Sequence, residues 1–337
     1  MLKYCGHSLI PASAKKILII RLSSLGDILL TTPLIRSLKQ KNPDSEVDFV
    51  LREEYEDLLK LNPFIRKIYK YNNRGYIIQS TINSIISEKY DLIVDLQNNT
   101  RTRWITRVAH VPIVKLNKHD FDKFLLVKFK INKLKNLPPI PVRYAHSLGD
   151  FQLDNAGLEL VTNKDPNPKL KDKSNLIGLC PGSKHFTKRW PLINYISLGK
   201  LLNDRGFKVV LFGGILDSEI CSQITTETDS INLCNENDIL QTAADMKFCK
   251  AIFTNDSGLM HVATAVKVPV IAFFGSTVKE FGFFPYNAKS IVVENDGLYC
   301  RPCTHIGKAR CPKKHFKCML DLTPQMAYEK LKELNIN

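Results

Sequence analysis

The sequence predicts an α/β protein of two domains, each built on a parallel sheet. Three observations carry that expectation. The chain has 337 residues, 44% of them hydrophobic, enough for two cores of about 150 residues each. Short apolar runs alternate with segments of helical spacing, as strands buried between layers of helices do. The alternation breaks off in a polar, proline-containing stretch near the middle and then restarts.

Residues 15–21 (KKILIIR) are a short apolar run after a basic start, suited to a strand buried on both faces. SSLGD follows, then ILLTTPLIRSLKQK with helical spacing, which Asn42-Pro43 ends. Residues 46–51 (EVDFVL) complete a strand, turn, helix, strand unit. Residues 91–96 (DLIVDL) are another buried strand, followed by the polar turn QNNTR. Residues 158–174 are polar with two prolines and place a linker at 161–174, between domains at 1–160 and 175–322.

In the second half, residues 175–180 (NLIGLC) form a strand ending at PGSKHFTKRWP, and 191–205 are helical. Residues 208–212 (KVVLF) end at Gly213-Gly214, residues 251–254 lead into NDSGLMHVATAV, and 268–274 (VPVIAFF) end at GST. Ligands of open α/β sheets bind at such C-terminal strand ends. Residues 323–337 begin Thr-Pro with helical spacing and are expected as a closing helix that returns to the N-terminal domain.

Lys and Arg number 48 against 33 Asp and Glu, a formal charge of +15, which favours an anionic partner. Residues 101–143 hold eleven Lys and Arg against Asp120 and Asp122, interleaved with Trp104, Phe121, Phe124, Leu125 and Phe129. A solvated lysine-rich surface is one reading of that stretch, and a docking surface for an anionic partner is the other. No nucleic-acid-binding signature accompanies the charge. No apolar run approaches the roughly 20 residues of a membrane span. Residues 1–14 lack the apolar stretch of a secretory signal, so a cytoplasmic address is expected. Of nine cysteines, Cys5, Cys180, Cys221, Cys234 and Cys249 are scattered. Cys300, Cys303, Cys311 and Cys318 cluster, with one pair at CxxC spacing. They are read as a structural zinc site or as reduced thiols.

Three turns carry chemistry. In Ser23-Ser24-Leu25-Gly26-Asp27, Gly26 suits a tight strand-to-helix turn, and Asp27 reads as a helix N-cap or as a carboxylate base. In Pro181-Gly182-Ser183-Lys184 and on to Lys188, small residues permit backbone approach to a phosphate that Lys188 neutralises; the alternative is a surface loop. In Asn255-Asp256-Ser257-Gly258-Leu259-Met260-His261, the backbone at Ser257, Gly258 and Leu259 suits a pyrophosphate, and Asp256 a sugar hydroxyl. His261 reads as a packed core histidine or as part of that site. None of the three has the spacing of a dinucleotide fingerprint, a P-loop or a serine-nucleophile elbow. Asp120-Phe121-Asp122 is the chain's Asp-x-Asp string, lies away from these strand ends, and reads as surface.

The strings RLSSLGDILLTTPLIRSLK, DLIVDLQNNTRT, PGSKHFTKRWP, FGG followed by Asp217, and NDSGLMHVATAVKVPVIAFFGST together resemble glycosyltransferase family 9. That family contains the ADP-heptose:lipopolysaccharide heptosyltransferases. The resemblance runs in order from about residue 15 to residue 334. It implies a GT-B fold, two Rossmann-like domains facing across a cleft, with acceptor on the N-terminal domain and donor on the C-terminal one. It implies inverting transfer without a catalytic cofactor or metal. By position, Asp27 resembles the family's base and Lys188 its stabiliser of the departing diphosphate. Asp217 matches the acidic residue at the donor ribose. Ser183, Asp256, Ser257, Gly258, Leu259 and His261 match donor-binding positions, and Gly26 and Arg101 acceptor-side positions. The implied partners are a nucleotide sugar, ADP-heptose foremost, and an anionic lipid-linked saccharide at the inner face of a membrane, with peripheral contact there and no nucleic acid. Another nucleotide sugar or acceptor keeps the same fold, and a basic nucleic-acid-binding protein is the alternative of a different class.

Overall fold

The computed structural model describes residues 14–72, 75–107 and 109–336. The reading of the N-terminal leader, apart from Ala14, falls outside them, as does Cys5. Two compact units emerge, Met1–Lys118 with Pro138–Val161 and His119–Leu137 with Thr162–Asn337.

The first unit opens with β1 (Lys16–Ile20), α1 (Leu25–Leu29), α2 (Thr32–Lys41) and β2 (Glu46–Arg52). It continues through β3 (Lys67–Tyr71), α3 (Gly75–Ser87), β4 (Leu92–Asp95), α4 (Thr100–Arg107) and β5 (Ile113–Lys115). After α5 (Asp120–Phe129), which belongs to the second unit, α6 (Ile140–His146) completes it. The five strands pair in parallel in the order β3-β2-β1-β4-β5. The inner strands β1 and β4 are buried almost throughout, which is why both are continuous apolar runs. Edge strand β3 alternates exposed and buried positions instead. Leu18, Ile20, Val50, Ile93 and Ile105 centre one face of the core. The strand order reverses between β1 and β4, so the turns that follow those two strands meet at the sheet's switch point.

The second unit runs through β6 (Leu176–Cys180), α7 (Leu192–Asn203), β7 (Lys208–Leu211), α8 (Ser218–Glu227), β8 (Ser230–Asn232) and α9 (Ile239–Met246). It continues with β9 (Cys249–Asn255), α10 (Gly258–Ala265), β10 (Val270–Phe274), β11 (Ser290–Glu294), α11 (Lys317–Leu320) and α12 (Pro324–Glu333). Its six strands are parallel, in the order β11-β10-β9-β6-β7-β8, with the reversal between β6 and β9. Trp190 anchors the core. It is fully buried, stacks on Phe273 at 4.1 Å and meets Tyr195 edge-on at 4.9 Å.

The unit bounds differ from those expected in two places. Residues 119–137 leave the N-terminal domain expected at 1–160, because Leu126 and Leu134 bury against Phe281 and Lys130 Nζ donates to the carbonyls of Cys300 and Pro302 at 3.0 and 2.6 Å. The expected linker at 161–174 is pinned to the second unit. There Thr162 Oγ1 donates to the Leu240 carbonyl at 2.9 Å, and the Asn167 N–H to Asp245 Oδ1 at 2.7 Å. The expected closing helix forms as α12, capped by Thr323, with Ala327, Tyr328 and Leu331 in the second unit's core against α7.

Candidate functional site

The turn after β1 carries Asp27 in the first turn of α1. Asp27 Oδ2 accepts from the Ser24 N–H at 3.0 Å and from Ser24 Oγ at 2.8 Å, so Ser24, not Asp27, is the N-cap of α1, and Asp27 closes a capping box on it from the third helical position. Its other oxygen meets Arg21 Nη2 at 2.6 Å, and both side chains are largely buried. Burial pushes the Asp27 carboxyl up, but the Arg21 guanidinium and the Ser24 bonds outweigh that and hold it below the ordinary carboxylate range. Arg21 is itself fixed, donating to the carbonyls of Ser23 at 3.0 Å and Leu96 at 2.6 Å, with its guanidinium over the Tyr144 ring at 5.7 Å. Gly26 is buried within α1 and is not among the residues of positive φ, so it serves by being small and not by permitting a special turn.

The turn after β4 supports the first. Gln97 Oε1 accepts from the N–H groups of Leu22 and Ser23 at 3.0 and 3.3 Å, which ties the two turns together. The fully buried Asp95 shapes its own turn, accepting from Asn98 N at 2.7 Å, Gln97 N at 3.1 Å and Thr102 Oγ1 at 2.7 Å. Arg101 stands exposed on α4.

In the second unit, the switch point brings the PGS and NDSG turns together. Asn255, fully buried at the end of β9, staples them: its Nδ2 donates to the Pro181 carbonyl at 2.8 Å and its Oδ1 accepts from the Trp190 N–H at 2.8 Å. Lys188, next to the Trp190 anchor, reaches Asp256 Oδ2 at 2.7 Å, and Thr277 Oγ1 donates to the same oxygen at 2.6 Å. Asp256 and Lys188, assigned separate tasks from the sequence, are thus one ion pair. Ser183 Oγ donates to the Asp256 carbonyl at 3.4 Å.

Ser257 stands at the N-cap position of α10 but its side chain makes no capping bond, and the backbone N–H groups of Gly258 and Leu259 open that helix without intrahelical acceptors. The buried hydroxyls of Ser257 and Ser276 have no hydrogen-bond partner among the described residues, an arrangement that costs free energy unless something else satisfies them. His261 is buried one turn into α10.

Asp217 closes a 3-10 turn after β7, with its Oδ2 accepting from the Gly214 N–H at 3.0 Å. Two glycines make room for it. A Cβ on Gly182 would lie 2.2 Å from Asp217 Cγ, and one on Gly213 would lie 2.8 Å from Asp217 Cβ. Gly182 therefore admits a carboxylate, a task the sequence reading gave to a phosphate.

The four C-terminal cysteines are free thiols, and Cys300 Sγ lies 3.7 Å from His315 Nε2. Among the described residues, however, no three His, Cys, Asp or Glu converge so as to hold a metal ion. The zinc expectation thus finds no ligand set among the described residues. Asp120 and Asp122 sit in the first turn of α5, with Asp122 bound to His119 at 3.1 Å and Asp120 3.6 Å from Lys123, as surface residues do. Asn255, Gln97, Arg21 and Thr277 were not singled out in the sequence. All four lie in or beside the motifs quoted; apart from the bonds of Arg21 to Ser23 and Asp27 in its own turn, their partners come from distant turns that only the fold brings near.

Comparison with known proteins completes the assignment. The chain is 26% identical to lipooligosaccharide heptosyltransferase 2 of Haemophilus ducreyi, over 95% of this chain and 99% of that protein. It is 26% identical to lipopolysaccharide heptosyltransferase 2 of Escherichia coli K12, over 95% and 98%. Its fold is shared with a glycosyl transferase of family 9 from Veillonella parvula, at a TM-score of 0.78 and 24% identity over 96% and 98% of the two chains. It is also shared with E. coli ADP-heptose LPS heptosyltransferase II, at a TM-score of 0.70 and 24% identity over 95% and 98%. The likeness is that of the GT-B class, with Rossmann-like α/β units. Residues 78–314 match the family described as Glycosyltransferase family 9 (heptosyltransferase). This chain belongs to glycosyltransferase family 9 and is a glycosyltransferase.

Proposed function

We propose that this protein transfers heptose from ADP-heptose to the inner core of lipopolysaccharide, by inverting displacement and without a catalytic metal. The names of its relatives support the sugar and the acceptor, since heptosyltransferases 2 of lipooligosaccharide and lipopolysaccharide align over nearly the whole chain. The observation that carries the chemistry is the β6/β9 switch point. There Lys188, the start of α10 and two buried hydroxyls unpartnered among the described residues supply donors suited to the charge that a diphosphate leaving group gathers. Fixed cationic and N–H donors of this kind do the work a divalent ion does in other transferases.

The diphosphate binds along Ser257, Gly258 and Leu259, draws Lys188 from Asp256, and leaves Asp256 to face the sugar. Ser183 and His261 line the same turn, and Asp217 takes the ribose hydroxyls. Asp27 accepts the proton of the acceptor hydroxyl as that oxygen attacks the anomeric carbon from the face opposite the diphosphate, which inverts the centre in one step. Gly26 leaves space beside the base, and Arg101 meets a phosphate of the core. The acceptor is lipid-linked, so the protein works at the inner membrane face as a peripheral, cytoplasmic enzyme. Among the described residues no helix is long and apolar enough to cross a membrane.

The test is a thermal-shift screen against ADP, GDP, UDP, CDP and their sugars, with and without EDTA, followed by transfer to a lipid A–core acceptor. Stabilisation by ADP and ADP-heptose, with EDTA-resistant transfer, is expected. Preference for another nucleotide would remove heptose and keep the transferase. EDTA-sensitive turnover would sink the metal-free chemistry.

A further inference from the structure

We infer that α5 seats this protein on an anionic lipid surface. The helix is apolar on two opposite faces. The inward one is already used: Leu126 is buried, and with Leu134 and Phe281 it forms a small core that Val127, Leu137, Val278 and Phe283 extend. Polar ties hold the helix there. Lys130, its C-cap, binds the carbonyls of Cys300 and Pro302, and Asn132 Nδ2 donates to Glu280 Oε1 at 3.0 Å. The outward face is thus presented by a docked helix.

That outward face is aromatic. Phe121, Phe124 and Phe129 are 67%, 53% and 58% exposed, and Ile131 just beyond the helix is 50% exposed. Phe124 and Phe129 touch edge-to-face at 5.8 Å, so they form one patch. Residues 121, 124 and 128 share a helical face, and at 128 that face carries an exposed lysine. A helix that satisfies its inner face and still displays three phenylalanines is built for an apolar partner.

The surrounding charge selects which partner. Residues 118–137 hold six lysines against two aspartates, and both aspartates are engaged in the first turn, with His119 and Lys123. Lys128, Lys133 and Lys135 are exposed on or just after the aromatic face. Aromatic rings set among lysines match the bilayer interface, where rings enter the acyl boundary and ammonium groups meet anionic headgroups. A protein groove would equally accept the rings, but it would not require the surrounding excess of one charge sign. Ten residues span about 15 Å, too short to cross a bilayer, so the helix lies in the interface plane. The choice of a bilayer rests in part on the lipid-linked acceptor proposed above.

The experiment is cosedimentation of the intact protein with acceptor-free vesicles of phosphatidylethanolamine and phosphatidylglycerol, against vesicles of phosphatidylcholine alone. Binding to the anionic vesicles that weakens with salt is expected. F121S/F124S/F129S should lower partitioning about tenfold or more, and K128E/K133E/K135E should abolish its salt dependence. Both variants should bind ADP as the parent does, which checks their fold. Undiminished partitioning of the phenylalanine variant would overturn the inference. So would a parent protein that ignores vesicles but sediments as a dimer that the same variant dissociates, since the patch would then belong to a second copy. Transfer to a water-soluble core saccharide separates the two proposals: it should survive in the phenylalanine variant, and its absence in the parent would count against the proposed function alone.

Discussion

Replacing Gly182 with alanine tests the proposed nucleotide site without removing a charged group. The new methyl would lie 2.2 Å from both Cγ and Oδ1 of Asp217, and 2.4 Å from Oδ2. Atoms do not approach that closely, so the carboxylate must swing away. Asp217 is partly exposed, so its side chain has somewhere to go, and the fold loses chiefly the bond to the Gly214 N–H. That loss is of the order of a helix cap, about 1 kcal/mol, or a fall in melting temperature of about 2–4 °C for a unit of this size. Nucleotide binding should suffer more. Restoring the carboxylate against the methyl costs about 1–3 kcal/mol, as inserting a methyl into a packed site does, which is roughly 5- to 150-fold in Kd. Calorimetric titration with ADP measures the loss. In the double variant with Asp217→Asn the two effects should fail to add, because each removes the same contact. A Gly182→Ala protein that folds and binds ADP with parental affinity would show that Asp217 does not reach the nucleotide.

Asp27→Asn keeps one acceptor oxygen for Ser24 but turns an amide NH2 toward the Arg21 guanidinium; turnover should vanish while ADP affinity holds, and near-normal turnover would remove Asp27 as base. The pH profile supplies a second test of that pair. Asp27 is held below the ordinary carboxylate range of about 4, so its contribution to stability is complete above that range and lost only as pH falls through the lower folded value. The acid limb of kcat/KM should accordingly lie below that range. Arg21→Met leaves the upward push of burial opposed only by Ser24, so the limb should move to higher pH, and a stationary limb would contradict the assignment. Lys188→Ala should weaken ADP binding and lower kcat. It should also reduce thermal stability, because it strips a partner from the buried Asp256. Unchanged kinetics with reduced stability would make the pair purely structural.

Where a strand was buried on both faces, the sequence announced it. KILII, LIGLC and VIAFF are continuous apolar runs because parallel strands inside a sheet have no polar face. β3, β5 and β8 lie at or near sheet edges, carry charge or small polar residues, and give no such signal. The three motif turns were legible for a related reason: strand end, small residues and helix start follow one another along the chain. Their partners were not. Lys188 to Asp256, Asp217 to Gly182 and Asn255 to Trp190 are set by which strands neighbour which, and the order of a parallel sheet is not written in any local stretch. The same limit explains α5. Its basic, aromatic composition was readable, but nothing in residues 119–137 states that Leu126 will find Phe281 and carry the segment into the other unit.

The two proposed charges are both stored in ion pairs, and the geometry of each pair bears on how it can act. A carboxylate offers about four acceptor directions. Asp27 spends three of them, on Arg21 Nη2, Ser24 N and Ser24 Oγ. The fourth is left for the proposed acceptor hydroxyl, so the proposed base would be oriented before its substrate arrives. Its depressed basicity is the cost of that order, and the incoming proton would draw the Arg21 bond weaker as it transfers. Lys188 behaves differently. Its ammonium holds a single oxygen of Asp256, and Thr277 already donates to the same oxygen, so Asp256 keeps one hydrogen bond if the lysine leaves. A diphosphate, with more charge than a carboxylate, can compete for the lysine without stranding a bare buried anion. On the proposed mechanism the first pair stays closed through the reaction and the second opens, which is the division expected of a base that must be aimed and a cation that must follow its leaving group.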